Sequence, residues 1–338
     1  MFDVSIKPGA GQWDITLTAI TAANPLAIDI LRVLSVLAAD NVPRDLLAAM
    51  ADEPGAMEVA LGLLASYSMV TLTPTTVSTH RLVQTVVTTQ ADNTAVSADT
   101  RRQARDLIEQ TRPASDPYRV VDDWPQWAVL VPQIQALAGH CPDDDPDPAL
   151  AHLLTWAGRY LQAQGLGLAQ IAADSRALAI YEAAHGGDHQ HSLTARHNLA
   201  NGYWAVGRYA EAITLWEQTL ADRTRILGPD HPDTQASRGN LAGGYRAVGR
   251  HDEAITLDEQ TLADRTRILG PDHPDTLNSR NNLAIGYQEV GRYHEAIILW
   301  ERTLADRTRI LGSDHPDTLD TRNSLEHARQ SDTTSSDR

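Results

Sequence analysis

The chain has 338 residues, of which 42% are hydrophobic, 5% aromatic and 21% charged, so apolar burial must come from Leu, Ala, Val and Ile, a profile that favours helices in two or three domains. A formal net charge of −16 repels phosphate backbones and anionic lipid heads and argues against nonspecific nucleic-acid or membrane binding. Cys141 is the only cysteine, which excludes an internal disulfide and fits a cytoplasmic location.

In chain order, residues 1–95 come first. The start of the chain has no apolar run of signal-peptide length, and the most apolar stretch, 26–39, is interrupted by Asp29 and Arg32, so nothing predicts a membrane span. Lys7 is the only lysine and precedes Pro8 outside any G-x-x-x-x-G-K-S/T frame, so this sequence lacks the phosphate loop that needs such a lysine. Residues 26–39 predict an apolar helix, Pro43 opens a second that runs to Met50, and 56–67 give a third. Residues 69–73 and 77–79 alternate like two short strands about Pro74-Thr75-Thr76, and His80 begins a closing helix to Thr89. Three helices, a hairpin and a closing helix form a winged-helix pattern. Winged helices also bind DNA, but the third helix, in the recognition position, carries Glu58 and no Arg or Lys.

Residues 96–147 form a helical linker region. Residues 101–110 predict an amphipathic helix, and Trp124-Pro125-Gln126-Trp127 leads another to about Ala138. Trp124 and Trp127 are three apart, so both sit on one helix face, suited to packing a domain junction. The acidic segment 141–146, with Pro142 and Pro146, resists helix formation and reads as a linker or exposed loop.

Residues 148–330 repeat. His231-Pro232 recurs at His273-Pro274 and His315-Pro316, a period of 42 residues, and residues 217–234 are identical to 259–276. Asn198, Asn240 and Asn282 keep the period, as do Tyr203, Tyr245 and Tyr287, then Gly207, Gly249 and Gly291. Each unit reads as two helices. In the third, Pro274 opens a helix where its missing N–H costs nothing, and Leu277, Leu283, Ala284 and Tyr287 make an apolar stripe. Gly291 ends it, and a second helix turns Ala296, Leu299, Trp300, Leu304 and Ile310 inward until Gly312. One period back, Gly165 marks a degenerate first repeat from about 150 to 184. Residues 317–330 supply a capping helix, and 331–338 read as a disordered tail. A single hairpin cannot bury its stripe, so neighbours must stack. The fold class is therefore mainly all-α, a superhelix of hairpins preceded by a small domain with a short β-hairpin.

The segment LGPDHPDTLNSRNNLAIGYQEVGRYHEAIILWERTLADRTRI, 269–310, resembles the tetratricopeptide repeat in the 42-residue version of kinesin light chains and many bacterial signalling proteins. The family's packing roles fall to Ala284 with Tyr287 and to Ala296. Its large residue in the second helix falls at Trp216 and Trp300, but the middle repeat has Asp258 there. A carboxylate in that place forfeits aromatic burial. It is either partly solvated or paired with an arginine, and Asp258→Trp is expected to raise the melting temperature of the repeat half by filling a void at the joint.

The resemblance implies that Asn198, Asn240 and Asn282 lie on the concave face and hydrogen-bond the backbone of a bound extended peptide. An amide offers both a donor and an acceptor, matching any peptide unit. Neighbouring concave positions, which would set selectivity, are Thr194, His197, Asn201 and Trp204, then Arg246, then Asn278, Asn281 and Gln288. The alternative is that the asparagines only bridge adjacent helices. The repeated Arg196, Arg238, Arg280 and Arg322 fit pairing with aspartates or contact with a ligand. His231, His273 and His315 precede proline at helix starts, one repeat apart, and so suit no zinc site. His189 and His191 look like a metal-binding pair, but the register explains His189 as another repeat position. No metal or cofactor is expected, and no Ser/His/Asp, Cys/His or paired-carboxylate set stands out, so an enzyme is not expected.

The words IDILRVLSVLAADNVPRDLL, ALGLLASYSMVTLT and VSTHRLVQTVV resemble the winged-helix module of NB-ARC and other STAND signalling ATPases. There, a histidine opening the last helix contacts the β-phosphate of ADP, and His80 takes that place. The resemblance implies a sensor arm without its nucleotide-binding core, partnered by a protein or peptide and by such a core. The rival is a DNA-binding transcription regulator with a repeat sensor.

Overall fold

The structure, a computed structural model, describes residues 10–53, 55–90 and 97–336. It divides into two compact units, Met1–Ala195 and Arg196–Arg338. Helices dominate the described residues, which also hold one small sheet near the N-terminal end.

In unit 1, α1 (Ala10–Ala23) precedes α2 (Pro25–Leu34). Asn24 caps α2 by accepting the Leu26 N–H at 3.0 Å, and Pro25 takes the first helical position. The helix was expected to run to residue 39. It stops at Leu34, where Ser35 turns its hydroxyl onto the Arg32 carbonyl at 2.6 Å, and Asn41 takes a left-handed φ of 58° before β1 (Val42–Pro43). Pro43 both ends this strand and stands at the N-cap of the helix that follows, so the helical turn expected from Pro43 to Met50 is present. α3 (Arg44–Leu47), a short 3-10 turn, α4 (Ala56–Ser66), β2 (Val70–Leu72), β3 (Thr76–Thr79) and α5 (Arg81–Gln90) follow. The sheet is antiparallel in the order β1-β3-β2, with Val42 opposite Val77 and Val70 opposite Thr79.

The core does not close there. α6 (Ala98–Thr111), α7 (Trp124–Gly139), α8 (Pro148–Ala163) and α9 (Gly167–His185) continue the same apolar cluster, from Leu31, Leu47 and Leu64 through Ile108, Leu130 and Leu154 to Ala177. Trp127 is wholly buried and stacks on Trp156 with ring centroids 6.1 Å apart, while the Trp124 indole donates to the Pro117 carbonyl at 2.8 Å. The acidic loop exposes Asp143, Asp144 and Asp145, two of which form ion pairs: Arg101 reaches Asp145 at 2.6 Å and Arg176 reaches Asp143 at 2.7 Å. The degenerate hairpin α8–α9, predicted to open the repeat half, therefore belongs to unit 1.

The border of the units falls within α10 (Gln190–Ala205), after which come α11 (Tyr209–Leu227), α12 (Pro232–Ala247), α13 (His251–Leu269), α14 (Pro274–Glu289), α15 (Tyr293–Leu311) and α16 (Pro316–Ser336). First helices end at Gly207, Gly249 and Gly291 with φ of 79°, 80° and 77°, a conformation costly for any side chain, which is why glycine keeps the period. Apolar packing in unit 2 forms two clusters, one about Trp216 and Tyr245 and one about Trp300 and Leu325. Ile310, expected to face inward, is 39% exposed. α16 runs six residues past the expected cap, so 331–336 are helical and not a disordered tail; the Ser331 and Thr333 hydroxyls bond back to the His327 and Gln330 carbonyls. Residues 337 and 338 lie outside the described residues. No helix among the described residues is long and apolar enough to cross a membrane.

Candidate functional site

The candidate face is built on the first helices of the hairpins in unit 2. Three contacts bring these helices side by side. The Asn240 amide of α12 lies 3.1 Å from His197 Nε2 of α10, Arg246 of α12 donates to the Asn282 carbonyl of α14 at 3.2 Å, and the Gln288 amide of α14 lies 2.8 Å from His327 Nδ1 of α16. Asn198, Asn240 and Asn282 occupy the same register on α10, α12 and α14, with Asn240 exposed and the other two half-buried.

Several expected peptide-contact residues are already engaged within the fold. The Trp216 indole donates to Asn201 Oδ1 at 3.2 Å, and the Trp300 indole donates to Asn281 Oδ1 at 2.9 Å, so each amide fixes the tryptophan of its own hairpin. Asn278 accepts from Arg307 at 2.6 Å. Trp204 packs on Trp216 and Tyr209, with centroids 5.4 and 4.5 Å away. Thr194, half-buried, stands on the part of α10 that belongs to unit 1. Burial first, and then the Arg223 charge, push the His197 imidazole down to about 4, and its Nδ1 is buried without a hydrogen-bond partner.

The repeated arginines hold the hairpins together. Arg196, Arg238 and Arg280 each reach an aspartate of the following helix, Asp222, Asp264 and Asp306, at 2.7 Å. Arg322, in the last repeat position, is half-buried and only approaches the Ser313 carbonyl at 3.5 Å. A second ladder joins one repeat to the next: Arg223, Arg265 and Arg307 donate to Ser237, Ser279 and Thr321 at 2.8, 2.9 and 2.7 Å. His231, His273 and His315 are helix caps, each Nδ1 accepting the N–H of Asp233, Asp275 or Asp317 at 3.2 Å.

The position of the second-helix tryptophan holds the main surprise. Asp258 is 2% exposed and paired with Arg246 at 2.5 Å. Burial pushes its carboxyl up to about 6 against the pull of that guanidinium. One period before Trp216 stands Asp174, also 2% exposed, which accepts from Gln170 at 3.2 Å and packs on Gly158. Burial pushes Asp174 up to about 7. The sequence reading noted Asp258 and missed Asp174, although a step back of one period from Trp216 points straight to it.

In unit 1, His80 opens α5 as a cap, its Nδ1 accepting the Leu82 N–H at 3.1 Å. A cleft of about 770 Å³ is lined in part by Asp40, Arg81, Gln84 and Gln133. Its amides serve the fold: Gln84 donates to the Leu34 and Leu37 carbonyls, and Gln133 accepts the Ala38 N–H.

Residues 191–263, 233–305 and 279–331 match the tetratricopeptide repeat family. A putative kinesin light chain from Podospora anserina with nearly identical repeats is 31% identical over 56% of this chain and 89% of its own, with a TM-score of 0.52. BtubC from P. vanneervenii is 18% identical over 64% of this chain and 82% of its own, with a TM-score of 0.49. A STAND protein with a tetratricopeptide repeat sensor, from Pyrococcus horikoshii, is 11% identical over 98% of this chain and 56% of its own, with a TM-score of 0.44. No curated protein matches the chain.

Proposed function

Because the chain belongs to the tetratricopeptide repeat family, with repeats of the kinesin-light-chain kind, we propose that its repeat half is a scaffold that binds a protein or peptide and performs no chemistry of its own. The observation that carries this is the recurrence of Asn198, Asn240 and Asn282 at one register on three neighbouring first helices. Asparagine is a poor helix former, and three in one frame suit reading of a peptide backbone. Each such bond nets about 0.5–1.5 kcal/mol, so the three position an extended segment without choosing its sequence. Choice of sequence falls to neighbouring half-buried residues of the same first helices in unit 2, Trp204 and Gln288 among them.

The N-terminal elements support a finer reading, that the chain is the sensor arm of a STAND-type signalling ATPase and acts in the cytoplasm with a nucleotide-binding core. Helix, strand, two helices and two strands, with sheet order β1-β3-β2, suit a winged helix. In that setting His80 offers Nε2 to a phosphate while Nδ1 caps α5. The DNA-binding alternative is weaker, since α4 has no basic residue and its Glu58 pairs with Arg44.

The test is capture of partners from the source cell with the full chain and with the triple variant Asn198→Ala, Asn240→Ala, Asn282→Ala, compared by quantitative mass spectrometry. A set of proteins enriched by the wild type and lost by the variant is the expected result. An unchanged set would remove the asparagine face from the function.

A further inference from the structure

The repeat frame singles out one turn. Positions equivalent to residues 185, 189 and 191 are Leu227, His231 and Asp233 in the next repeat, then Leu269, His273 and Asp275, then Leu311, His315 and Asp317. Only the capping histidine is part of the repeat. In the turn between α9 and α10 the leucine and the aspartate are both replaced by histidine, as His185 and His191, around the retained His189.

The structure brings the three together. His185 is the last residue of α9, Gly186 turns the chain with φ of 84°, and His191 lies in the first turn of α10. One ring nitrogen from each residue lies within 4.8 Å of the other two. Ring centroids are 4.4 Å apart for His185 and His189, and 5.0 Å for His189 and His191. Tyr181, buried beneath them, has its ring 5.1 Å from His191 and 6.4 Å from His185, which limits where both imidazoles turn.

We propose that His185, His189 and His191 form a binding site for a single divalent transition-metal ion of the zinc, cobalt or nickel kind. Imidazole is the ligand these ions favour, and three protein nitrogens with an open fourth position is a recurrent arrangement. Metal–nitrogen bonds of about 2.0–2.1 Å in a tetrahedron place the nitrogens roughly 3.4 Å apart, so nitrogens that now lie within 4.8 Å of one another draw together on binding. The three groups come from a helix end, a turn and a helix start, and the ion therefore fastens α9 to the beginning of α10.

His189 has to change role to take part. Its Nδ1 now accepts the His191 N–H at 3.3 Å. Coordination through Nδ1 uses that lone pair, and coordination through Nε2 of the neutral ring places the proton on Nδ1. Either way the cap bond is exchanged for the metal bond. The caps at His231, His273 and His315 keep theirs, because no second imidazole stands beside them.

The test uses the full chain without a histidine tag. Calorimetric titration with Zn²⁺ and the visible absorption of the Co²⁺ form read occupancy, and melting with and without Zn²⁺ reads the fastening. The variants are His185→Leu and His191→Asp, which restore what the other repeats carry and so keep the fold. One equivalent of Zn²⁺ is expected to bind the wild type and raise its Tm, with affinity at least ten-fold weaker and no rise in Tm in each variant. Binding that does not saturate at one equivalent, or a loss of less than ten-fold in both variants, would overturn the site.

Discussion

Arg246 and Asp258 form a buried ion pair, 2.5 Å between Nη1 and Oδ2, in the place where the flanking repeats bury Trp216 and Trp300. The Arg246 guanidinium also donates to the Asn282 carbonyl at 3.2 Å, so the pair ties α13 to α12 and α14. Of the two settings the sequence left open for Asp258, partial solvation or an arginine partner, the structure has the arginine, and no void is left for an indole to fill. Asp258→Trp should therefore lower the Tm, because it overpacks the joint at about 1–3 kcal/mol and strands a buried cation. Removing one member of a buried pair costs about 3–5 kcal/mol, so Arg246→Ala should destabilise comparably. Thermal melts of the full chain decide it. A higher Tm for Asp258→Trp would mean that the joint repacks around an indole.

The two buried carboxyls give stability a definite slope with pH. Asp174 is raised to about 7 and Asp258 to about 6, both above the ordinary value of 3.8. A raised folded-state pKa means that the folded chain holds the proton more tightly. The contribution is fully present below about 4 and is lost as pH climbs through the folded value, here between about 4 and 7. For Asp174 the swing is at most roughly 4 kcal/mol, at 1.36 kcal/mol per unit. Asp174→Asn should be more stable than the wild type at pH 8 and should lose that advantage towards pH 4.5. Urea titrations at several pH values read the difference, and one that stays constant with pH would place Asp174 in contact with solvent.

How much of this was legible depended on what repeats. The hairpins stood out because His-Pro, asparagine, tyrosine and glycine recur at fixed spacing, and those residues set helix starts and stops by local chemistry. β1 was not legible, since two residues carry no alternation, and α1 went unnoticed in a segment without strong periodicity. The side-chain partners within the candidate face were not legible. Asn201 and Asn281 lie on first helices of their hairpins, and their amides are bound to Trp216 and Trp300, partners that lie on the following helix and that no local pattern announces. Asp258 was flagged by its departure from the repeat, and its partner Arg246 was read as a ligand contact because only the packing of α12 on α13 brings the two together.

The histidine caps make a quantitative prediction. His273 accepts the Asp275 N–H at 3.2 Å, the bond that an N-cap side chain supplies to a helix start. His273→Ala should cost about 0.5–2 kcal/mol, and His273→Asn should cost less, since asparagine is among the preferred caps. Melts of the two variants compare them directly. Equal losses would show that the ring packs the turn and that its nitrogen contributes little.

The last prediction concerns where the repeat half can be cut. α8 packs on both α7 and α9, and its Leu150, Leu153, Leu154 and Leu161 are buried in the cluster that runs back to α2. A fragment beginning at 148 keeps α8 but exposes those leucines where α6 and α7 stood. Burial of one leucine contributes about 1.5–3 kcal/mol, so uncovering even part of this face outweighs what the α8–α9 hairpin gains from its own contacts. Residues 188–336 keep α10 whole and retain both tryptophan clusters, each closed by its own helices. Stability in such arrays is carried by neighbour contacts, so this shorter fragment should fold and melt cooperatively. The longer one should show a loosened first hairpin, with fast amide exchange in 148–185 and protection from α11 onward. Hydrogen exchange on both fragments separates the two regions. Protection of 148–185 in the longer fragment, equal to that in the full chain, would return the boundary to 148 and make the degenerate hairpin a true first repeat.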